Sequence, residues 1–293
     1  MSGAPQIFDR SLLEQHRARA GRMAVAGSDF LLRHAASDLA ERLTAVNRRF
    51  TDTAEIDSQS PALLEALAAT DQGGDVARVP LDRTEVLPLA PGSLDLAVSV
   101  LQLQWVNDLP GVLSQVRRAL KPDGLFMATL LGGDTLQELR AVLTTAESDI
   151  RGGAAPRVAP FADIRDIGGL LQRAGFALPV TDSDRLTVRY DSIFHLMRDL
   201  RAMGATNALV ARDKRPLTRA ILARASELYA ERYADADGRI RATFELIALS
   251  GWAPHESQPK PLKPGSAKMR LADAIEAARR DAEQADENKR SDE

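Results

Sequence analysis

Two apolar runs, Leu94 to Leu101 and Leu125 to Leu131, flank a stretch in which Leu109, Val112, Leu113, Val116 and Leu120 recur at helical spacing. Neither run alternates polar with apolar residues, and Pro91-Gly92 and Pro122-Asp123-Gly124 mark where each begins. A strand without alternation must be covered on both faces, which helices packed on a parallel sheet achieve. Strand, helix and strand in that order predict a parallel, doubly wound α/β sheet. Ligands of such sheets bind outside the carboxyl ends of the strands, so the residues just after Leu101 and Leu131 are the first candidates for function.

The remaining pattern fits around that centre. Residues 8 to 47 predict two helices, the first capped within Phe8-Asp9-Arg10-Ser11 and the second by Ser28. Glu55 and Ile56 stand where a first strand belongs, Ser60 to Ala69 reads as helix, and Val76 to Leu81 as a short strand. Thr135 to Ile150 predicts a helix capped by Asp134, and Phe161 to Gly175 another that stops at glycine. Leu186 to Tyr190 alternates like a strand, Ser192 to Met203 and Pro216 to Tyr233 read as helices, and Ile240 to Ser250 adds a last strand. The expected organisation is a helical arm over 1–50, an α/β domain over 51–260, and a charged, partly disordered tail over 261–293.

Composition narrows the chemistry. The 38 basic residues are outweighed by 41 acidic ones, which gives no electrostatic reason to expect nucleic acid. The absence of cysteine excludes disulfides, thiolate nucleophiles and iron–sulfur ligation. No apolar run is long enough for a membrane helix. The four histidines, His16, His34, His195 and His255, are scattered and form no pair with a nearby acid, so no metal site is expected. No Gly-x-Ser-x-Gly elbow is present either.

Several stretches together carry a family resemblance: Phe8-Asp9-Arg10, Trp105-Val106-Asn107-Asp108-Leu109-Pro110, and Lys121-Pro122-Asp123-Gly124-Leu125-Phe126. Gly132-Gly133-Asp134-Thr135-Leu136 with Glu138-Leu139-Arg140 belongs with them, as does Gly251-Trp252 followed by His255-Glu256-Ser257-Gln258. From residue 7 to about 268 the chain resembles the assembly factor 5 family of mitochondrial respiratory complex I and its alphaproteobacterial relatives. More distantly it is similar to the malonyl-carrier-protein methyltransferases of the biotin pathway. The resemblance implies a class I S-adenosylmethionine (SAM) methyltransferase fold, Rossmann-like, with an N-terminal helical arm and helical insertions. It also implies a role in building complex I, whose mitochondrial family member is associated with hydroxylation of a subunit arginine.

The chain departs from that family at the first strand, which there ends in Leu-Asp-Leu-Gly-x-x-x-Gly. Here the residues read Ala54-Glu55-Ile56-Asp57-Ser58-Gln59-Ser60-Pro61. Asp57 puts a charge where the cofactor's carboxylate would lie, and Pro61 removes an N–H and fixes φ. The acid that would hold the ribose hydroxyls is hard to place, with Asp75 and Asp82 the available residues. Cofactor-binding candidates are Glu55, Asp57, Asp82 and Gln102. Gln104 stands where the family carries His, removing a proton-transfer group. Trp105, Asn107 and Asp108 are the catalytic candidates, although Asn107 or Asp108 could equally cap the helix at Leu109-Pro110 with Trp105 packed beside it.

Two functions stay open. One is a protein that binds and stabilises a complex I subunit with weak or lost SAM binding, a pseudoenzyme. The other is an active SAM-dependent methyltransferase or protein-arginine-modifying enzyme. Asp134, Arg140 and Glu256 are the expected contacts to a protein partner. The chain starts almost directly on Phe8-Asp9-Arg10, which leads to the expectation of a bacterial, cytoplasmic protein without a transit peptide.

Overall fold

Six strands form one sheet in the order β2-β1-β3-β4-β6-β5, and a computed structural model describes it over residues 5–58, 60–70 and 72–259. Contacts divide the chain at His255, and every element below lies in the unit that precedes Glu256. The expected tail over 261–293 lies outside the described residues. In chain order the elements are α1 (Arg10–Met23), α2 (Phe30–Thr44), β1 (Thr53–Ile56), α3 (Ala62–Ala68), β2 (Val76–Val79) and β3 (Leu94–Val100). A short 3-10 turn (Leu103–Trp105) leads to α4 (Leu109–Ala119), β4 (Leu120–Leu131), α5 (Gln137–Arg151) and α6 (Ile164–Arg173). The chain closes with β5 (Ala177–Tyr190), α7 (Ile193–Ala202), α8 (Arg219–Tyr233) and β6 (Ile240–Trp252).

Strands β2, β1, β3 and β4 run parallel, while β6 is antiparallel to both of its neighbours, β4 and β5. The apolar runs are buried on both sides, as their lack of alternation requires. Leu96, Val98 and Met127 face a core built with α2, α5 and α8, whereas Ala97, Phe126 and Ala128 face one built with α4 and α6. A third, small cluster joins Phe8 and Leu13 to Trp105 and Leu209 at the carboxyl edge of the sheet.

The structure moves several expected boundaries. β5 starts at Ala177, nine residues before Leu186, because an edge strand tolerates Pro179 and the polar run Asp182-Ser183-Asp184 that mask it in the sequence. β4 begins at Leu120: the chain passes through Pro122-Asp123-Gly124 as a bulge, with Leu94 opposite Leu120 and Leu96 opposite Leu125. Asp123 takes φ +62 there. Ser28 does not cap α2; its hydroxyl donates to Val25 O, and Asp29 precedes the helix and binds Arg33 at 2.7 Å. Asp134 does not cap α5, which starts at Gln137 after Leu136 in a left-handed conformation.

The Gly132-Gly133-Asp134 turn is instead fastened to β6 by Glu245. That buried carboxylate accepts from Asp134 N at 2.9 Å and from Ser183 Oγ at 2.8 Å, while Gly132 N donates to Glu245 O at 2.9 Å. Thr135 Oγ1 accepts from Glu245 N at 3.1 Å. A Cβ at Gly132 would meet the Glu245 carboxylate, so close approach rather than torsional freedom requires glycine here. Gly132→Ala is expected to cost about 1–3 kcal/mol of stability by overpacking, measured by denaturant unfolding. Wild-type stability in that variant would remove the explanation.

Candidate functional site

Four parallel strands deliver their carboxyl ends to one edge, bringing residues 57–58, 60–61, 80–85 and 101–108 together. Asp57, the first residue past β1, takes φ +58 and is 5% exposed. Its N–H donates to Val79 O at 2.8 Å. Helix α1 lies against this point: Arg17 Nη1 donates to Asp57 Oδ2 at 3.1 Å and Nη2 to Gln102 Oε1 at 2.5 Å. Burial pulls the Arg17 guanidinium below its ordinary range, and the Asp57 charge works against that shift.

Arg10, about two turns earlier on α1, is also buried. It donates to Leu81 O at 2.9 Å and Trp105 O at 3.4 Å, and stands 4.0 Å from Asp57 and 3.9 Å from Glu85. Two guanidiniums and two carboxylates thus neutralise one another at the edge. Glu85, which also takes positive φ, accepts from Asn107 N at 2.8 Å and Asp108 N at 2.7 Å.

The sequence-derived candidates occupy different places. Asn107 Oδ1 accepts from Ile7 N and Phe8 N, each at 2.8 Å, and so pins the N-terminal segment. Asp108 caps α4 by accepting from Gly111 N at 2.9 Å. Trp105 packs edge-on between Phe8 and Phe161, at 5.4 and 5.9 Å. Asp57 and Gln102 meet through Arg17. Glu55 is buried within β1; burial pushes its carboxyl up, against a hydrogen bond with Ser58 and the charge of Arg78. Asp82 lies in a turn beyond β2, its carboxylate accepting from Thr84 N at 2.8 Å. Asp75 precedes β2, at the opposite end of the strand from the edge.

Sequence reasoning missed Arg10, Arg17 and Glu85. The signal for the first two was present: a carboxylate at a buried strand end needs a cation, and α1 is rich in arginine. Of the expected partner contacts, Arg140 holds its own turn, donating to Gly133 O at 3.3 Å and Thr135 O at 3.1 Å. Asp134 pairs with Arg185 on β5.

Two cavities open at this edge. One, of about 540 Å³, lies under α1 and is lined by Arg17, Pro61, Leu101, Gln102, Leu131 and Met203. The other, of about 360 Å³, is lined by His16, Leu139, Leu143, Phe161 and Met197. Trp105 lines both. Among the described residues no three His, Asp or Glu side chains gather to hold a metal ion, and no helix is long and apolar enough to cross a membrane.

An ion network ties together the loops that border the second cavity. Glu147, whose side chain is 1% exposed, binds Arg157 and Arg151, and both arginines also reach Asp213. A hydrogen bond from Arg157 holds Glu147 below the usual carboxylate range. Hydrogen bonds from the Arg215 side chain and backbone, with the Arg157 charge, hold Asp213 at about 2.

A model of the methyltransferase domain matches residues 31–128. The arginine-hydroxylase NDUFAF5, mitochondrial, of Danio rerio is 35% identical over 286 residues, spanning 91% of this chain and 89% of that protein. The protein of the same name from Homo sapiens is 36% identical over 280 residues, 89% of this chain and 81% of that protein. The malonyl-[acyl-carrier protein] O-methyltransferase of Laribacter hongkongensis is 42% identical over 170 residues, 58% of this chain and 54% of that protein.

Two outcomes test the electrostatics. Asp57→Asn removes the carboxylate paired with the buried Arg17 guanidinium and is expected to cost on the order of 3 kcal/mol, while Asp57→Asn with Arg17→Met recovers at least half. Additive losses in chemical denaturation would show that the two side chains act independently. For Asp213, the folded carboxyl is held below its ordinary 3.8, so its stabilisation is present above that pH and lost as pH falls towards about 2. Asp213→Asn is expected to lower Tm at neutral pH and to flatten the acid limb, measured as Tm against pH. An unchanged acid limb would mean that the network does not contribute.

Proposed function

The chain belongs to the family of the arginine-hydroxylase NDUFAF5, within the methyltransferase fold, and on that premise we propose that it acts by holding a protein partner, a respiratory complex I subunit, during assembly. In this reading it does so in the bacterial cytoplasm with SAM bound weakly or not at all. The observation that carries the proposal is the self-neutralised edge, where Arg17 spans Asp57 and Gln102 at the point a cofactor's amino-acid end would reach.

The residues present do not fit that cofactor. A glycine-rich turn presents free backbone donors and close approach. Here the Asp57 N–H is spent on Val79, the Ala62 N–H on Ser60 Oγ at 3.2 Å, and Pro61 has none. The Asp57 carboxylate would also face a carboxylate of the ligand, and displacing Arg17 to relieve this would break its ion pair with a buried acid. No methyl-transfer step is therefore derived for this chain.

What remains for the fold is a rigid surface. The relatives' span of most of the chain supports a role shared with them that survives a changed cofactor edge. Calorimetric titration is expected to give a Kd for SAM above roughly 1 mM, under about 4 kcal/mol of binding. Affinity pull-down from a native lysate is expected to enrich complex I subunits, and deletion of the gene to lower NADH dehydrogenase activity. Saturable binding of SAM at low micromolar concentration would overturn the first part. Absence of respiratory subunits together with normal activity in the deletion strain would overturn the second.

A further inference from the structure

Where α1 packs against α7, arginine faces arginine. Gly204, just past α7, takes φ +74 and permits the approach, since a Cβ there would lie 3.2 Å from Arg17 Cα and 3.4 Å from Ala20 Cβ. Arg19, on the same turn of α1, donates to Thr206 Oγ1 at 3.0 Å, and its Nε is buried without a hydrogen-bond partner. Burial pushes the Arg19 guanidinium below its ordinary range. The charges of Arg201 and Arg22 push it further, and no carboxylate offsets them. His16 is held down by burial and then by the charge of Arg19, as a cationic neighbourhood requires.

Among the described residues none of Arg19, Arg22 and Arg201 has an ion-pair partner. The acids around them are engaged elsewhere. Glu14 on α1 binds Arg83, Asp9 before α1 binds Arg212, and Asp29 before α2 binds Arg33. Asp199 on α7 accepts from Tyr190 Oη at 2.8 Å. Arg22 and Arg201 stand in the last turns of their helices, whose carbonyl ends together offset about one unit of positive charge. The rest of this cationic charge is unmatched, on a chain whose net charge is −3.

Arg22 and Arg201 are exposed. Phe194 and Arg198 continue the surface along α7, four and three residues apart from their neighbours on one exposed stripe that ends at Arg201. Met23 and Val25 follow Arg22 and are exposed too. Neither helix contains lysine. Arginine with methionine and aromatic side chains, and without lysine, is the composition of protein-binding surfaces, whereas lipid-binding basic segments use lysine and arginine alike.

We propose that the α1–α7 face docks an acidic segment of a protein partner, whose carboxylates meet the guanidiniums of Arg19, Arg22, Arg198 and Arg201. This rests on the partner-holding reading above and gives that partner a chemistry.

The probes are octaglutamate peptide and vesicles of equimolar phosphatidylglycerol and phosphatidylcholine, each titrated with the full chain at low and at high salt. Saturable binding of octaglutamate is expected, weakened by salt. Arg22→Glu with Arg201→Glu is expected to weaken it at least tenfold, and the milder Arg22→Gln with Arg201→Gln at least threefold. The same charge change on α6, Arg165→Glu with Arg173→Glu, is expected to leave it unchanged. Circular-dichroism melts establish that each variant is folded. No octaglutamate binding, full binding by a folded α1–α7 variant, or an equal loss in the α6 variant would each overturn the surface. Vesicle binding that needs Arg22 and Arg201, without octaglutamate binding, would make it a lipid site instead. The pull-down, repeated with the charge-reversed chain, is expected to lose the respiratory subunits. Equal enrichment by wild type and variant would sink this surface and leave the assembly reading standing. Enrichment by neither, with octaglutamate still bound, would sink the assembly reading alone.

Discussion

The pairing of Arg17 with Asp57 is the contact on which the functional edge depends. An acid at the end of a buried strand is costly unless a cation and hydrogen bonds meet it. Asp57 has Arg17 at 3.1 Å, with Arg10 behind it at 4.0 Å. Because both cations come from α1, the charge of Asp57 is linked to the position of an entire helix. The N-terminal segment is then held by separate means, through Asn107 and the packing of Phe8 on Trp105.

That arrangement gives the family's motif residues a common purpose. Phe8-Asp9-Arg10 and Trp105-Val106-Asn107-Asp108 are far apart in the chain yet form one joint. Asp9 caps α1, Asp108 caps α4, Asn107 receives the incoming backbone, and Glu85 receives Asn107 and Asp108. Gly132-Gly133-Asp134 forms a second joint, in which the Glu245 carboxylate from the antiparallel β6 replaces the cap that Asp134 does not supply. Both joints brace the edge that carries the two cavities.

Both cavities are bordered by charges that the chain engages within itself. Under α1, the Arg17 charge is consumed by its own chain. At the second cavity, Arg157 is paired with Glu147 and Asp213, Arg212 with Asp9 and Arg215 with Asp213.

The parallel centre of the sheet was legible because Leu94 to Leu101 and Leu125 to Leu131 are apolar without alternation, a pattern that admits only burial on both faces. The altered turn was legible too, since Asp57 and Pro61 are visible as residue types whatever the fold does around them. The first half of β5 was not, because an edge strand can carry proline and charge, and its partner β6 lies over fifty residues away in sequence. Neither was the answer to Asp57. Local sequence states that an acid sits at a strand end; which of many arginines comes within 3.1 Å of it is decided by how α1 packs across the edge. The same holds for Glu245 beneath Gly132 and for the cations around the second cavity. Such long-range pairs have no periodicity to read, so only the tertiary structure could determine them.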